Sequence, residues 1–152
     1  MLKVSLANNV TEKRKVPEFI NSLFIKNPQE KTISIKYNGF NLTIRAISGL
    51  GEDFIKFYCG YINPINDKEK KEKILRSQEV EELVHYGWSI HSEDLGLGFD
   101  CSHGNDSVLQ KDYLKEGFPY YFEQQHPEET FKSASWVFWQ LERIADKVNQ
   151  LI

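Results

Sequence analysis

The stretch Thr32-Ile33-Ser34-Ile35-Lys36-Tyr37-Asn38-Gly39-Phe40-Asn41-Leu42-Thr43-Ile44-Arg45 decides the fold. Apolar and polar residues alternate on both sides of Asn38-Gly39, which is the period of a half-buried strand whose successive side chains point to opposite faces. Asn and Gly tolerate the positive φ that a type I′ turn requires. The pair between two alternating runs therefore predicts a β-hairpin, with Ile33, Ile35, Tyr37, Phe40, Leu42 and Ile44 as its apolar set.

Outward from the hairpin, residues 1–15 read as polar and irregular, and Pro17 suits the first turn of a short helix carrying Phe19, Ile20, Leu23 and Phe24. Asn27-Pro28 should end it. On the other side, Gly49 and Gly51 mark a turn, and the aromatic and β-branched run Phe54 to Ile62 predicts a third strand that ends at Asn63-Pro64. Residues 65–79 are highly charged and read as an exposed loop with some helix. Two further strands, Glu82 to His91 and Leu97 to Ser102, are expected to pair antiparallel across the polar turn Ser92-Glu93-Asp94. From Gly104 to Pro127 no period is visible, but Tyr113, Phe118, Tyr120, Tyr121 and Phe122 give this loop a large aromatic content. From Pro127 to Ile152, Phe131, Ala134, Phe138, Leu141, Ala145, Val148 and Ile152 recur at helical spacing, with Glu128 and Glu129 placed to meet the positive end of the dipole. The expectation is an α+β fold: an antiparallel sheet of about five strands, with a short N-terminal helix and a long C-terminal helix packed on it.

The totals agree with one domain over residues 1–152, since 152 residues can bury a core but are too few for two full domains. Nineteen basic against 22 acidic side chains leave a net charge of -3, so nucleic acid is not an expected partner. The most basic run, Lys68 to Lys73, is broken by Glu69 and Glu72 and reads as a solvated face. No apolar run approaches the roughly 18 residues that would span a bilayer, and the N-terminus has no signal core, so a cytoplasmic protein without membrane association is expected. Cys59 and Cys101 lack CxxC spacing and read as buried thiols. No cofactor is expected.

The residues that could carry chemistry concentrate between His85 and Asp106. His85, His91 and His103 fall there with Asp94, Asp100 and Asp106. On a strand over residues 82–91, His85, Ser89 and His91 would share one face, opposite Tyr86, Trp88 and Ile90. Pairing would bring Asp100 beside them, and the Gly104-Asn105 turn would add His103, Asn105 and Asp106. Four readings stay open: a metal site, which has donors but no HExxH-type spacing; a His/Asp acid-base site, which lacks a nucleophile motif such as GxSxG; a ligand pocket in which Tyr61 is one wall; and polar residues that merely satisfy turns. Gly60 suits either a pocket wall or the close approach of a neighbouring element. Trp136, Val137 and Trp139, beyond the main apolar stripe of the terminal helix, exceed what one sheet contact needs, which predicts a homodimer or larger homo-oligomer.

The order Cys59-Gly60-Tyr61, then Val84-His85-Tyr86-Gly87-Trp88-Ser89, then Gly98-Phe99-Asp100-Cys101-Ser102-His103-Gly104-Asn105-Asp106, then a terminal helix, resembles a family of small, mostly uncharacterised phage and bacterial proteins. The resemblance covers roughly residues 54–152, and GFDCSHGND is its most specific part. In the loop after Tyr61, Asn63 to Lys73 replaces a Gly-Pro-rich, histidine-bearing stretch of that family. The resemblance implies a phage anti-defence protein acting in the host cytoplasm, one class of which sequesters nucleotide immune signals. The resulting expectation is nonenzymatic binding of a small polar ligand, a cyclic nucleotide or an ADP-ribose derivative, by Tyr61, His85, Ser89, His91, Asp100, His103, Asn105 and Asp106. The alternatives are a small metal-dependent or His/Asp hydrolase and a protein inhibitor of a host defence enzyme.

Overall fold

The computed structural model describes residues 1–48, 55–102, 106–107 and 130–152, of which 106–107 and 130–131 are described by backbone alone. The elements in chain order are β1 (Leu2–Ser5), a 3-10 turn at Lys13–Lys15, α1 (Val16–Lys26), β2 (Thr32–Tyr37), β3 (Phe40–Ser48), β4 (Ile55–Pro64), α2 (Lys68–Arg76), α3 (Gln78–Glu81), β5 (Ile90–Ser92), β6 (Gly96–Asp100), β7 (Asp106–Ser107), β8 (Thr130–Phe131) and α4 (Ala134–Gln150). This is an α+β fold. Among the described residues, six strands form one sheet in the order β1-β2-β3-β4-β6-β5, and β7 and β8 form a separate parallel pair.

The hairpin forms as its alternation requires. Asn38 and Gly39 take φ of 44° and 86°, and β2 and β3 pair in the register Ile33↔Ile44, Ile35↔Leu42, Tyr37↔Phe40. All six apolar residues therefore fall on one face, and α1 and α4 cover it. Ile33, Ile35, Phe40, Leu42, Ile44, Phe99, Val137, Phe138 and Leu141 are essentially excluded from solvent. Burying such side chains contributes roughly 1.5–3 kcal/mol each, so this interface dominates the stability. Pro17 lies in the first turn of α1, as expected.

Gly60 stands opposite Ile44 on this face, and a Cβ built there would lie 2.7 Å from Val137 Cγ1 and 3.1 Å from the Phe99 ring. Its missing side chain is the seat of α4. Gly60 is a packing glycine and not a pocket wall.

Four expectations are corrected. First, the chain begins with a strand: Leu2 and Val4 pair in parallel with Ile33 and Ile35, making the sheet mixed and six-stranded. With only two apolar positions, β1 is too short to announce itself. Second, residues 82–89 are not a strand. Ser77 caps α3 by accepting from the Val80 amide, and the chain then turns through Tyr86 and Gly87 at φ of 59° and 76°. That left-handed pair breaks an extended run, and only Ile90–Ser92 pairs antiparallel with β6. Val80 and Val84, both buried at helical spacing, carried the signal. Third, the terminal helix starts at Ala134, because Ser133 caps it through its hydroxyl on the Trp136 amide, while Phe131 belongs to β8. Fourth, most of the charged segment is helical, with Asp67 capping α2 and Ile74 buried beneath it. Apart from the backbone of Asp106–Ser107, the predicted aromatic loop lies outside the described residues, as does the Gly49–Gly51 turn.

Candidate functional site

The pleat gives every strand of the six-stranded sheet a second face, and its residues line up across the whole sheet. The register links Lys3, Ser34, Thr43, Tyr61, Gly98 and Ile90 in one row across all six strands. One row away lie Ser5, Lys36, Asn41 and Asn63, and on the other side Thr32, Arg45, Cys59 and Asp100. The helix-covered face is apolar, whereas this one mixes hydroxyls, amides and charges with a small apolar cluster of Cys59, Tyr61 and Leu95, against which Ile47, Phe57 and Ile90 pack.

At Gly96, φ is 94° and a Cβ would lie 2.1 Å from the Ile62 carbonyl oxygen, a conformation and an approach open only to glycine. This kink sends residues 93–95 over the second face. Leu95 is buried against Cys59 and Tyr61, and Asn63 Nδ2 donates to the Asp94 carbonyl at 3.5 Å. The turn arches far enough that Asp94 and Leu95 line one groove together with Lys3 and Ser5 of the opposite edge strand. The groove has a volume of about 450 Å³; Ser34, Lys36, Asn41, Thr43 and Asn63 supply further polar lining, and Met1, Val4 and Ile65 line it as well. Its floor is the Ser34–Thr43 pair, with Thr43 Oγ1 donating to Ser34 Oγ at 3.2 Å and both residues buried.

Beside the groove, Arg45 lies 5.3 Å from the centre of the Tyr61 ring and donates to its hydroxyl at 3.3 Å. Burial raises the Tyr61 phenol above its ordinary pKa, and the Arg45 charge partly offsets that. Gly98, directly opposite Tyr61, leaves room for the ring, since a Cβ there would stand 2.9 Å from Tyr61 Cδ1. The Cys59 thiol, between Arg45 and Asp100, is pushed up to about 12, first by burial and then by the Asp100 carboxylate. Such a thiol is protonated at neutral pH and is not a nucleophile.

The residues singled out in the sequence separate. Ser89 and Asp100 meet, with Ser89 Oγ donating to Asp100 Oδ2 at 3.3 Å, while Asp100 Oδ1 accepts from the Ser102 amide and hydroxyl at 3.1 and 2.8 Å. Tyr61 and Asp100 share the second face. His85 does not join them: its ring sits edge-on to Tyr86, Trp136 and Phe99, at 4.7, 4.9 and 6.3 Å between centroids. His91 lies on the edge strand opposite Leu97, exposed and on the other side of the sheet from Asp100. The expected common face of His85, Ser89 and His91 therefore does not exist, because the strand that would create it is absent. His103 and Asn105 lie outside the described residues, and Asp106 is placed by its backbone alone, paired with Thr130. Among the described residues, no three His, Cys, Asp or Glu side chains are grouped to hold a metal ion. No described helix is long and apolar enough to cross a membrane.

The groove residues Lys3, Ser5, Ser34, Lys36, Asn41, Thr43 and Asn63 escaped the sequence reading. The polar half of the hairpin alternation was the available signal, but alternation alone does not distinguish a solvated face from a binding face. Trp136 is half-buried against His85, and Trp139, which lies under Arg143 at 4.6 Å, remains 47% exposed. Compared with protein-family models, curated proteins and solved structures, the chain matches none.

Proposed function

We propose that this chain is a nonenzymatic binding protein that holds a small polar ligand in the groove above Ser34 and Thr43. The ligand we favour is a nucleotide-derived signal, a cyclic nucleotide or an ADP-ribose derivative, whose sequestration would counter a host defence. The observation that carries the reading is the groove itself. Its volume of about 450 Å³ falls within the range of small-molecule pockets, and hydroxyls, amides and charged groups converge on it from both edges of the sheet. Such groups supply directional hydrogen bonds without chemistry. Neither His85 nor His91 lines the groove, and the buried Cys59 thiol nearby is held protonated. The resemblance to small phage proteins supplies the class of ligand, and the groove's lysines supply charge to meet it. The proposed centre of binding is thus the sheet face that carries Tyr61 and Asp100.

The test is to incubate the protein with a panel of cyclic nucleotides and ADP-ribose, record native mass spectra, and then denature the complex and analyse what is released. A stoichiometric complex that releases unchanged nucleotide is expected. Release of a hydrolysed product would replace this reading with an enzymatic one, and the absence of any complex across the panel would remove it.

A further inference from the structure

The groove is electrically polarised. On its β1–β2 wall stand Lys3 and Lys36, diagonal neighbours on the same face because Lys3 pairs with Ser34 and Ser5 with Lys36. Across the groove stands Asp94, at the turn that arches over from β6. Among the described residues, neither lysine has an ion-pair partner, whereas Lys147 is paired with Glu79 and Arg76 with Glu72.

The two ammonium groups, on diagonal positions of adjacent strands and both exposed, repel each other through a solvent-screened interaction. Edge protection explains a lysine on β1, since charge on an edge strand blocks further pairing. It does not explain Lys36, which lies on an inner strand. An anion held between the two relieves the repulsion, and Ser5 and Ser34 beside them offer hydroxyl donors to the same anion. Asp94 at the far wall repels an anion but accepts hydrogen bonds from hydroxyl or amino groups, and the Asn63 side chain stands next to it. A ligand that satisfies both ends is anionic at one end and rich in donors at the other.

Resting on the binding reading above, we propose that the groove binds a phosphorylated polyol in a fixed direction, its phosphate between Lys3 and Lys36 and its hydroxyls toward Asp94. The volume and the placement of charge fit a mononucleotide whose phosphate lies on the β1–β2 wall and whose ribose lies under the β5–β6 turn.

Adenosine 5′-monophosphate and adenosine are the two probes, titrated calorimetrically against the full chain. The wild-type protein should bind the nucleotide at least about tenfold more tightly than the nucleoside, since charge-assisted hydrogen bonds exceed neutral ones. The exposed pair Lys3→Ala/Lys36→Ala should abolish the preference for nucleotide over nucleoside, while Lys3→Arg/Lys36→Arg retains it. Asp94→Asn should weaken both probes alike. Equal affinity of the wild-type protein for the two probes, or a preference that survives loss of both lysines, overturns the directional proposal and leaves the binding reading standing. Failure of both probes to bind at millimolar concentration overturns the nucleotide reading of the groove and the directional proposal with it.

Discussion

Gly60→Ala tests whether the missing side chain on β4 is what seats the terminal helix. An alanine Cβ would stand 2.7 Å from Val137 Cγ1, against an optimum of roughly 3.5–4.0 Å for carbon pairs, so about 1 Å must be found. Val137 is fully buried and β-branched, and in a helix such a side chain has essentially one rotamer. The helix itself must therefore shift, and inserting a methyl into a packed core costs about 1–3 kcal/mol. Alanine recovers about 0.4–1 kcal/mol by restricting the unfolded chain. The net destabilisation is about 1–2 kcal/mol, and at roughly 2–4 °C per kcal/mol for a chain of this size the melting temperature falls by about 2–8 °C. Urea and thermal denaturation followed by circular dichroism measure this directly. The decisive comparison is the double-mutant cycle with Val137→Ala, which removes the opposing methyl. In that background only the Phe99 ring, 3.1 Å from the added Cβ, has to give by a few tenths of an ångström, so Gly60→Ala should cost less than in the wild type by a coupling energy of about 1–2 kcal/mol. A stabilising Gly60→Ala in the wild-type background, or strict additivity in the cycle, would refute the packing argument.

Two other outcomes follow from the same structure. The buried Cys59 thiol has its pKa raised from 9.0 to about 12, so between those values the unfolded chain releases a proton that the native chain retains. Folding stability should therefore be intact below pH 9 and decline as pH rises from 9 toward 12. Cys59→Ser should make that decline shallower in urea titrations at stepped pH, leaving the part due to buried phenols such as Tyr58, which burial pushes from 10.0 to about 12, and an unchanged slope would contradict the assignment. Separately, Ser133→Ala removes the hydroxyl that accepts from the Trp136 amide at 3.2 Å and should cost about 1 kcal/mol, read as a lower urea midpoint with an unchanged m-value.

The two faces of the sheet answer to different forces. The helix-covered face is specified by apolar burial and tolerates little change. The second face combines a buried hydroxyl pair with lysines, an arginine and carboxylates at its margins. A domain stabilised chiefly through one face is free to vary the other, and binding chemistry can accumulate there without loss of the core.

Local pattern by itself determined the hairpin, the two terminal helices and the α+β class. Strand alternation around Asn38-Gly39, Pro17 at a helix start and the helical spacing from Ala134 to Val148 each act within a few residues and agree with the burial they produce. Local pattern misled over residues 82–89: apolar residues alternate with polar or small ones from Val84 to Ser89, but Tyr86 and Gly87 take left-handed backbone that breaks an extended run. It was silent on the groove for a different reason. Lys3, Ser34, Thr43, Tyr61 and Gly98 are scattered over most of the chain and become one row only through hydrogen-bonded register between strands. Each strand's alternation says that it has two faces. Which one the helices cover, and which one collects lysines at one wall and Asp94 at the other, is settled by the order β1-β2-β3-β4-β6 and by the kink at Gly96. Those are long-range events, driven by burying apolar surface against α1 and α4, and no spacing within the sequence encodes them.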